Sequence, residues 1–434
     1  DKIMLPSVRW FFRRRMEKVV AKLNERLGRP IQPFKLARRH DMIQRLIYDP
    51  EVSKAIADHA VEEGIPENVA FEQARRYARE IVPSFSASAY FGIAIRLAKF
   101  FSNSLYRVRL GNFEEDALAA VDNDATVIFV MNHRSNMDYV LVTYLAAERS
   151  ALSYAVGEWA RVWPLSRLIK AMGAYFIRRK SRGQLYRRVL ARYVRLATDA
   201  GVAQAVFPEG GLSLDGALAP PRMGILKYVV DGFDPEGRDV VFVPVALNYD
   251  RVLEDRILVA ASVAGERRFR AKMSVVTKFA FRLLWRRVRG TYHRFGYAAV
   301  SFGRPMSLAQ YLAKDDDTSV EHLAQTLMQQ IAQEVPVLPV PLVATVLMRH
   351  DKSVSRSDLE AEIAELIDLL PKAHVHLPRE DMQYAIDVGL RALAERGIIV
   401  IETDQISVKP EDKPILAYYA ASIGHFLCKR SECE

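Results

Sequence analysis

The chain has 434 residues, half of them hydrophobic, and a formal net charge of +10. That length and composition suit a folded protein of two or three domains and exclude a disordered one. The basic excess favours partners that carry phosphate: anionic lipid, nucleic acid or a small phosphorylated substrate. The two cysteines, Cys428 and Cys433, make neither a disulfide framework nor a thiolate metal site, and a reducing cytoplasm suits them.

No run reaches the roughly 18 apolar residues of a spanning helix, so a membrane would be met at its surface. The apolar start is broken by Arg13, Arg14 and Arg15, which argues against a signal peptide. Residues 1–40 hold twelve Lys or Arg against three acids. Residues 159–198 hold eleven Lys or Arg and no acid. Residues 267–289 interleave nine cations with Phe279, Phe281 and Trp285.

Residues 1–110 read as a helical region. Ile3–Leu27 has apolar positions at helical spacing opposite an Arg/Lys face. Helices over 36–60 and 66–81 follow, the second with Pro66 near its first turn. Residues 87–106 are apolar and aromatic, with Arg96 and Lys99 along them. The texture changes near 111. Short β-rich runs at 126–131, 203–207, 240–247 and 298–302 alternate with helical stretches at 138–150, 160–171 and 183–200. This predicts an α/β domain over 111–310 with a partly parallel sheet. Pro244 inside the third run predicts an edge or a bulge there.

Residues 311–434 read as helical again, after a link marked by Pro336, Pro339 and Pro341. Amphipathic helices over 320–334, 357–370 and 379–396 precede a hairpin at 397–408, an order that is winged-helix-like. That order alone carries no function.

Four segments carry chemistry. The first is Asn132-His133-Arg134-Ser135-Asn136-Met137-Asp138, directly after a strand. On one helix, side chains five apart diverge by about 140°. They meet if His133 sits in the turn leaving the strand and Asp138 in the first helical turn. The carboxylate then fixes the imidazole tautomer and leaves the other nitrogen as a base. His376 and Asp381 share the spacing, but the residues between them read as an ordinary helix start. The second segment, Gly173–Lys180, ends in Arg178, Arg179 and Lys180, whose forks suit phosphate or carboxylate oxygens. The third, Phe207-Pro208-Glu209-Gly210-Gly211, leaves a strand through two glycines that permit a tight turn. The fourth is the apolar Val243-Pro244-Val245-Ala246-Leu247-Asn248-Tyr249, a strand that could line an acyl channel or merely close the sheet.

Order and spacing of these blocks resemble the glycerolipid acyltransferase family, with its H-x4-D, G-x-[FY]-[FI]-x-R, F-x-E-G and V-P boxes. With helical extensions at both ends, the chain looks like the membrane-associated bacterial glycerol-3-phosphate acyltransferases. The resemblance implies His133 as general base and Asp138 as its orienting partner. It implies an acceptor phosphate held at or beside Arg178 and Arg179, with Arg134 and Ser135 close by. Glu209, Gly210 and Gly211 would position glycerol 3-phosphate, and Pro244 and Val245 would face the acyl donor. The expected co-substrate is acyl-CoA or an acyl carrier protein thioester. No cofactor, metal or covalent acyl-enzyme is expected, and no nucleic acid. Backbone N–H groups at the start of the helix after His133 are candidates for the oxyanion hole.

One departure concerns the acceptor. The family's third block usually continues through two arginines, where this chain has Leu212 and Leu214. Arg222 and Lys227, or Arg179 and Lys180, could take their place. Lysophosphatidate or another lysophospholipid thus stays open as an alternative acceptor. A basic nucleic-acid-binding protein and an inactive scaffold are the readings from other classes. Peripheral attachment to the cytoplasmic face of the inner membrane is expected through residues 3–16, 267–289 or 87–106.

Overall fold

The computed structural model describes residues 39–85, 95–113, 115–146, 153–156, 175–176, 183–265, 295–314, 318–371 and 374–427. The expected docking segments 3–16 and 267–289, the helix at 160–171, and Arg178, Arg179 and Lys180 lie outside these residues.

Among the described residues four helices come first: α1 (Arg39–Ile47), α2 (Pro50–Glu62), α3 (Glu67–Ile81) and α4 (Ile95–Leu105). An α/β region follows. Its strands are β1 (Arg107–Phe113), β2 (Thr126–Met131), β3 (Ser153–Val156), β4 (Tyr175–Phe176), β5 (Gln204–Val206), β6 (Val240–Tyr249), β7 (Tyr297–Phe302) and β8 (Met306–Ser307). Its helices are α5 (Glu115–Ala119), α6 (Met137–Ala146), α7 (Gln184–Asp199), α8 (Gly224–Asp231), α9 (Asp255–Val263) and α10 (Leu308–Leu312). The sheet runs β1-β7-β6-β2-β5-β3-β4, with β8 beside β6. Pairing is parallel from β6 through β4 and between β1 and β7, and antiparallel where β6 meets β7 and β8.

Every residue of β2 and β6 is buried. Strands covered on both faces read as continuous apolar runs, which is why both were legible. Alternate residues feed two cores. Val127, Phe129 and Met131 of β2 join Val243, Val245 and Leu247 of β6 in one. Ile128 and Val130 join Val240, Phe242 and Ala246 in the other. Helices α1–α3, α7 and α8 cover the second face. The first face is covered by α6, α9 and the helices that follow the sheet.

Those later helices are α11 (Val320–Gln333), α12 (Pro339–Leu347), α13 (Arg356–Leu369), α14 (Met382–Ala394) and α15 (Lys413–Gly424). α11 lies instead in the second core. Strand β9 (Val354–Ser355) joins the hairpin β10 (Ile399–Glu402)–β11 (Gln405–Val408) in the order β10-β11-β9. α13, α14 and the β10–β11 hairpin follow the expected order; α12 and β9, which were not expected, complete a winged-helix-like arrangement in place of the helix over 320–334.

Three expectations change. Strand β1 spans residue 110, so the sheet starts before the boundary placed there. Pro339 and Pro341 open the wholly buried α12 rather than marking a loose link. Proline suits a first helical turn, where its missing N–H is not needed. Pro244 lies in an interior strand, not at an edge, between β2 and β7. Its carbonyl accepts from Gly303 N, at the break between β7 and β8. A strand residue's N and O point to the same side, so the absent donor falls at that break and spares the β2 ladder.

Candidate active site

β2 ends at Met131 and α6 begins at Met137, so the first segment is the turn between them. His133 Nδ1 lies 2.9 Å from Asp138 Oδ2, and both side chains are buried. Asp138 sits in the first turn of α6, where a negative charge also suits the helix dipole. Its Oδ2 accepts from the backbone N–H groups of Arg134 (2.7 Å) and Ser135 (3.0 Å) as well. Its Oδ1 accepts the Tyr249 hydroxyl at 2.6 Å. A carboxylate on Nδ1 directs the neutral ring's lone pair to Nε2, the nitrogen left to take a proton. The ring lies over Phe207, with centroids 4.1 Å apart, and meets Tyr139 edge-on at 5.4 Å. His133 itself is 2 % exposed.

The third segment is clamped onto this turn. Glu209 Oε1 accepts His133 N at 2.8 Å, and Oε2 accepts Ala219 N at 2.9 Å. Burial pushes the Glu209 carboxyl up to about 7, although these two N–H donors pull it down. Ser213 N donates to His133 O at 2.9 Å, and Arg134 Nη1 donates to Gly216 O. Gly210, at φ +70°, turns the loop, and a Cβ there would meet Arg222 Cδ at 2.9 Å. Arg222 therefore lies along the glycine turn, with its own N–H on Pro208 O. Gly211 follows in the same turn, half-buried.

Several expected roles are redistributed. The N–H groups after His133 are already engaged: those of Arg134 and Ser135 by Asp138, that of Asn136 by Glu254, that of Met137 by Ser135 Oγ. They cannot form the oxyanion hole without giving up those bonds. Ser135 is fully buried, and its hydroxyl donates to Glu254 Oε2 at 2.8 Å, so it is committed to the scaffold and not to an acceptor. Arg134 turns into the protein, its guanidinium 5.2 Å from the Tyr418 ring centroid. Its Nε and Nη2 are buried without a hydrogen-bond partner among the described residues. Lys227 is exposed on α8, where it pairs with Asp231 one helical turn on. Leu212 and Leu214 pack against the first core. Pro244 and Val245 lie within the interior strand.

Three residues carry roles that the sequence reading did not assign. Asn132 pairs with the Leu247 backbone in both directions, at 3.0 and 2.8 Å, extending the β2–β6 contact past the end of β2. Glu254 binds Ser135 Oγ and the Asn136 amide, bracing the turn; burial raises its pKa. Tyr249 supplies the second oxygen of Asp138. Tyr249 and Glu254 lie more than 100 residues along the chain, beyond the reach of any local spacing rule.

An α/β sheet that presents an aspartate-oriented imidazole at a strand-to-helix turn, closed by a glycine loop, has the geometry that general-base transferases and hydrolases use. Among the described residues no group of three His, Cys, Asp or Glu could hold a metal. Residues 112–248 match the family model described as Acyltransferase, and residues 281–432 match the glycerol-3-phosphate acyltransferase C-terminal region. The chain thus carries an acyltransferase domain followed by a glycerol-3-phosphate acyltransferase C-terminal region. A glycerol-3-phosphate acyltransferase of Pseudomonas putida KT2440 is 29 % identical over 81 % of this chain and 44 % of its own length. One from Aeromonas hydrophila is 28 % identical over 92 % of this chain and 51 % of its own length. One from Pseudomonas aeruginosa PAO1 is 30 % identical over 77 % of this chain and 41 % of its own length. The chain thus spans about half the length of these relatives. The solved 1-acyl-sn-glycerophosphate acyltransferase of Thermotoga maritima aligns with 55 % of this chain and 76 % of its own, at 16 % identity and a TM-score of 0.35.

Proposed function

We propose that the chain transfers a fatty acyl group from an acyl-CoA or acyl carrier protein thioester to the 1-hydroxyl of glycerol 3-phosphate. The observation that carries this reading is the His133–Asp138 pair at 2.9 Å, set in the turn between β2 and α6. His133 Nε2 takes the proton of the hydroxyl as its oxygen attacks the thioester carbonyl. The carbonyl carbon forms a bond to that oxygen, and the tetrahedral intermediate collapses with loss of the thiol. His133 then returns its proton to the leaving sulfur. Glu209 serves this scheme by holding the backbone of His133 against the glycine turn.

The family's second block assigns the acceptor phosphate to Arg178 and Arg179, and Arg222, beside Gly210, is a further candidate cation. Lysophosphatidate or another lysophospholipid remains the second reading because Leu212 and Leu214, packed against the core, stand where the family's third block has arginines. Purified protein given radiolabelled acyl-CoA is expected to acylate glycerol 3-phosphate. Turnover on lysophosphatidate with none on glycerol 3-phosphate would overturn the first reading.

We place the enzyme peripherally on the cytoplasmic face of the inner membrane. No helix among the described residues is long and apolar enough to cross a bilayer. Support comes from α4, whose Ala98, Ser102 and Leu105 are buried. Its other face shows Leu97 (41 % exposed), Phe100 (49 %) and Phe101 (43 %), with Arg96 and Lys99 exposed beside them. Aromatics flanked by cations suit the interface of an anionic leaflet. α4 packs on α6, the helix that carries Asp138, so a bilayer at this face lies one helix away from the catalytic pair.

A further inference from the structure

The histidine–aspartate pair has a third member that no local spacing predicts. Asp138 receives four hydrogen bonds, three of them on Oδ2: from His133 Nδ1, Arg134 N and Ser135 N. All three donors come from the turn that the carboxylate itself organises. Oδ1 alone is held from elsewhere, by the Tyr249 hydroxyl at 2.6 Å. A carboxylate anchored through one oxygen can still rotate about its side-chain bonds. A second anchor, on the other oxygen, fixes its plane and therefore the direction in which Oδ2 faces the imidazole.

We propose that Tyr249 is a positioning residue for the acyl transfer, acting on His133 through Asp138 and tying the dyad to the C-terminal helices. The inference rests on His133 being the base, as argued above.

Tyr249 is well placed for this work. It is the last residue of β6, fully buried, and its ring packs on Tyr106 with centroids 5.4 Å apart. Burial and the adjacent Asp138 charge hold its phenol far above the usual range, so it stays a donor at any working pH. Its chain neighbours are held by α15 and by the segment leading into α12. Asn248 Nδ2 donates to Pro336 O and to Ser422 Oγ, at 2.9 and 3.2 Å. The Tyr419 hydroxyl accepts Val252 N at 3.0 Å and donates to Asp255. Asp255 in turn takes Arg396 from beyond α14. Asp250, buried, accepts Val340 N in the first turn of α12 and Tyr297 N at the start of β7. Residues on both sides of Tyr249 are thus fixed by the region that follows the sheet. The hydroxyl that orients Asp138 is aimed by helices remote in sequence from the dyad.

The test is Tyr249→Phe in the full chain, which removes one oxygen and keeps the ring. A hydrogen bond to a charged group supports an expected loss in kcat of roughly 10- to 100-fold, with KM for both substrates within about threefold. In an Asp138→Asn background the same substitution is expected to cost less than about threefold, because the residue acts through that carboxylate. A proton spectrum gives a readout independent of turnover. The low-field Nδ1 proton of His133, identified by its loss in His133→Ala, is expected to shift in Tyr249→Phe. It should shift as well when 3-fluorotyrosine occupies position 249, a change that alters donor acidity without opening a cavity. The proposal is overturned by an unmoved resonance in both proteins. It is equally overturned by a kcat within twofold of the parent, or by an undiminished loss in the Asp138→Asn background. A shifted resonance in a chain that shows no acyl transfer would sink the proposed activity and leave the positioning role standing.

Discussion

Residues 133–138 and 376–381 carry the same His-x4-Asp spacing and meet opposite fates. In the first, a strand ends, the chain turns once, and a helix starts with Asp138 in its first turn, so imidazole and carboxylate face each other. In the second, the backbone of His376 is held by Val337 O, and a 3-10 turn at Pro378–Glu380 intervenes with Arg379 and Glu380 at positive φ. Asp381 then spends its carboxylate capping α14, accepting Tyr384 N at 3.1 Å. His376 Nε2 is buried beside Gly111 and Ser301 with no hydrogen-bond partner among the described residues, and burial lowers its pKa. Five residues of spacing permit a pair, and the path of the backbone between them decides whether it forms.

The sharpest way to break this contrast is to remove each imidazole. His133→Ala is expected to reduce acyl transfer at least about 1000-fold, the upper range of general-base contributions. His376→Ala is expected to leave turnover within a few-fold of the parent. Equal losses in the two variants, measured with radiolabelled acyl-CoA, would erase the distinction.

A second measurement sharpens the electrostatic difference around the first site. The folded chain keeps the Glu209 carboxyl protonated up to about 7, whereas the unfolded chain releases that proton near 4.5. The folded state binds more protons through that window, so this group's contribution makes stability fall as pH rises from about 4.5 to 7. Glu209→Gln removes the titration. The loss of unfolding free energy between pH 5 and pH 7.5 is expected to shrink by about 2 kcal/mol in urea melts. An unchanged difference would mean that Glu209 ionises freely in the fold.

The smallest effect belongs to the second aspartate. Asp381→Ala removes a helix cap and is expected to cost about 1 kcal/mol of stability. Activity should stay at the parent level. A large loss of turnover without loss of stability would assign Asp381 a role its capping bond does not explain.

Much of the molecule was legible before any coordinates. β2, β5, β6 and β7 are apolar runs because both faces of the sheet are covered. α11, α13 and α14 announce themselves by one-sided apolar spacing, and Ser319 and Ser355 cap the first two. The H-x4-D turn was readable because a strand signal stands directly before it. α12 was missed for the opposite reason: its residues are all buried, so no polar face marks the helical period, and its two prolines read as a link. β1 was missed because it lies at the sheet's edge, with Arg107 and Arg109 exposed along it.

By itself the sequence determined the local chemistry: which residues bear an imidazole or a carboxylate, and which short stretches turn, extend or coil. Tertiary structure alone decided who is adjacent to whom. It turned Arg134 inward onto Gly216, took Ser135 for Glu254, and brought Tyr249 to Asp138 across 111 residues of chain. The physical reason is that hydrogen bonds and burial are conditions in space. The period of a helix or strand carries information over a few residues, while a buried carboxylate takes its donors from whatever the packing of distant elements brings within 3 Å.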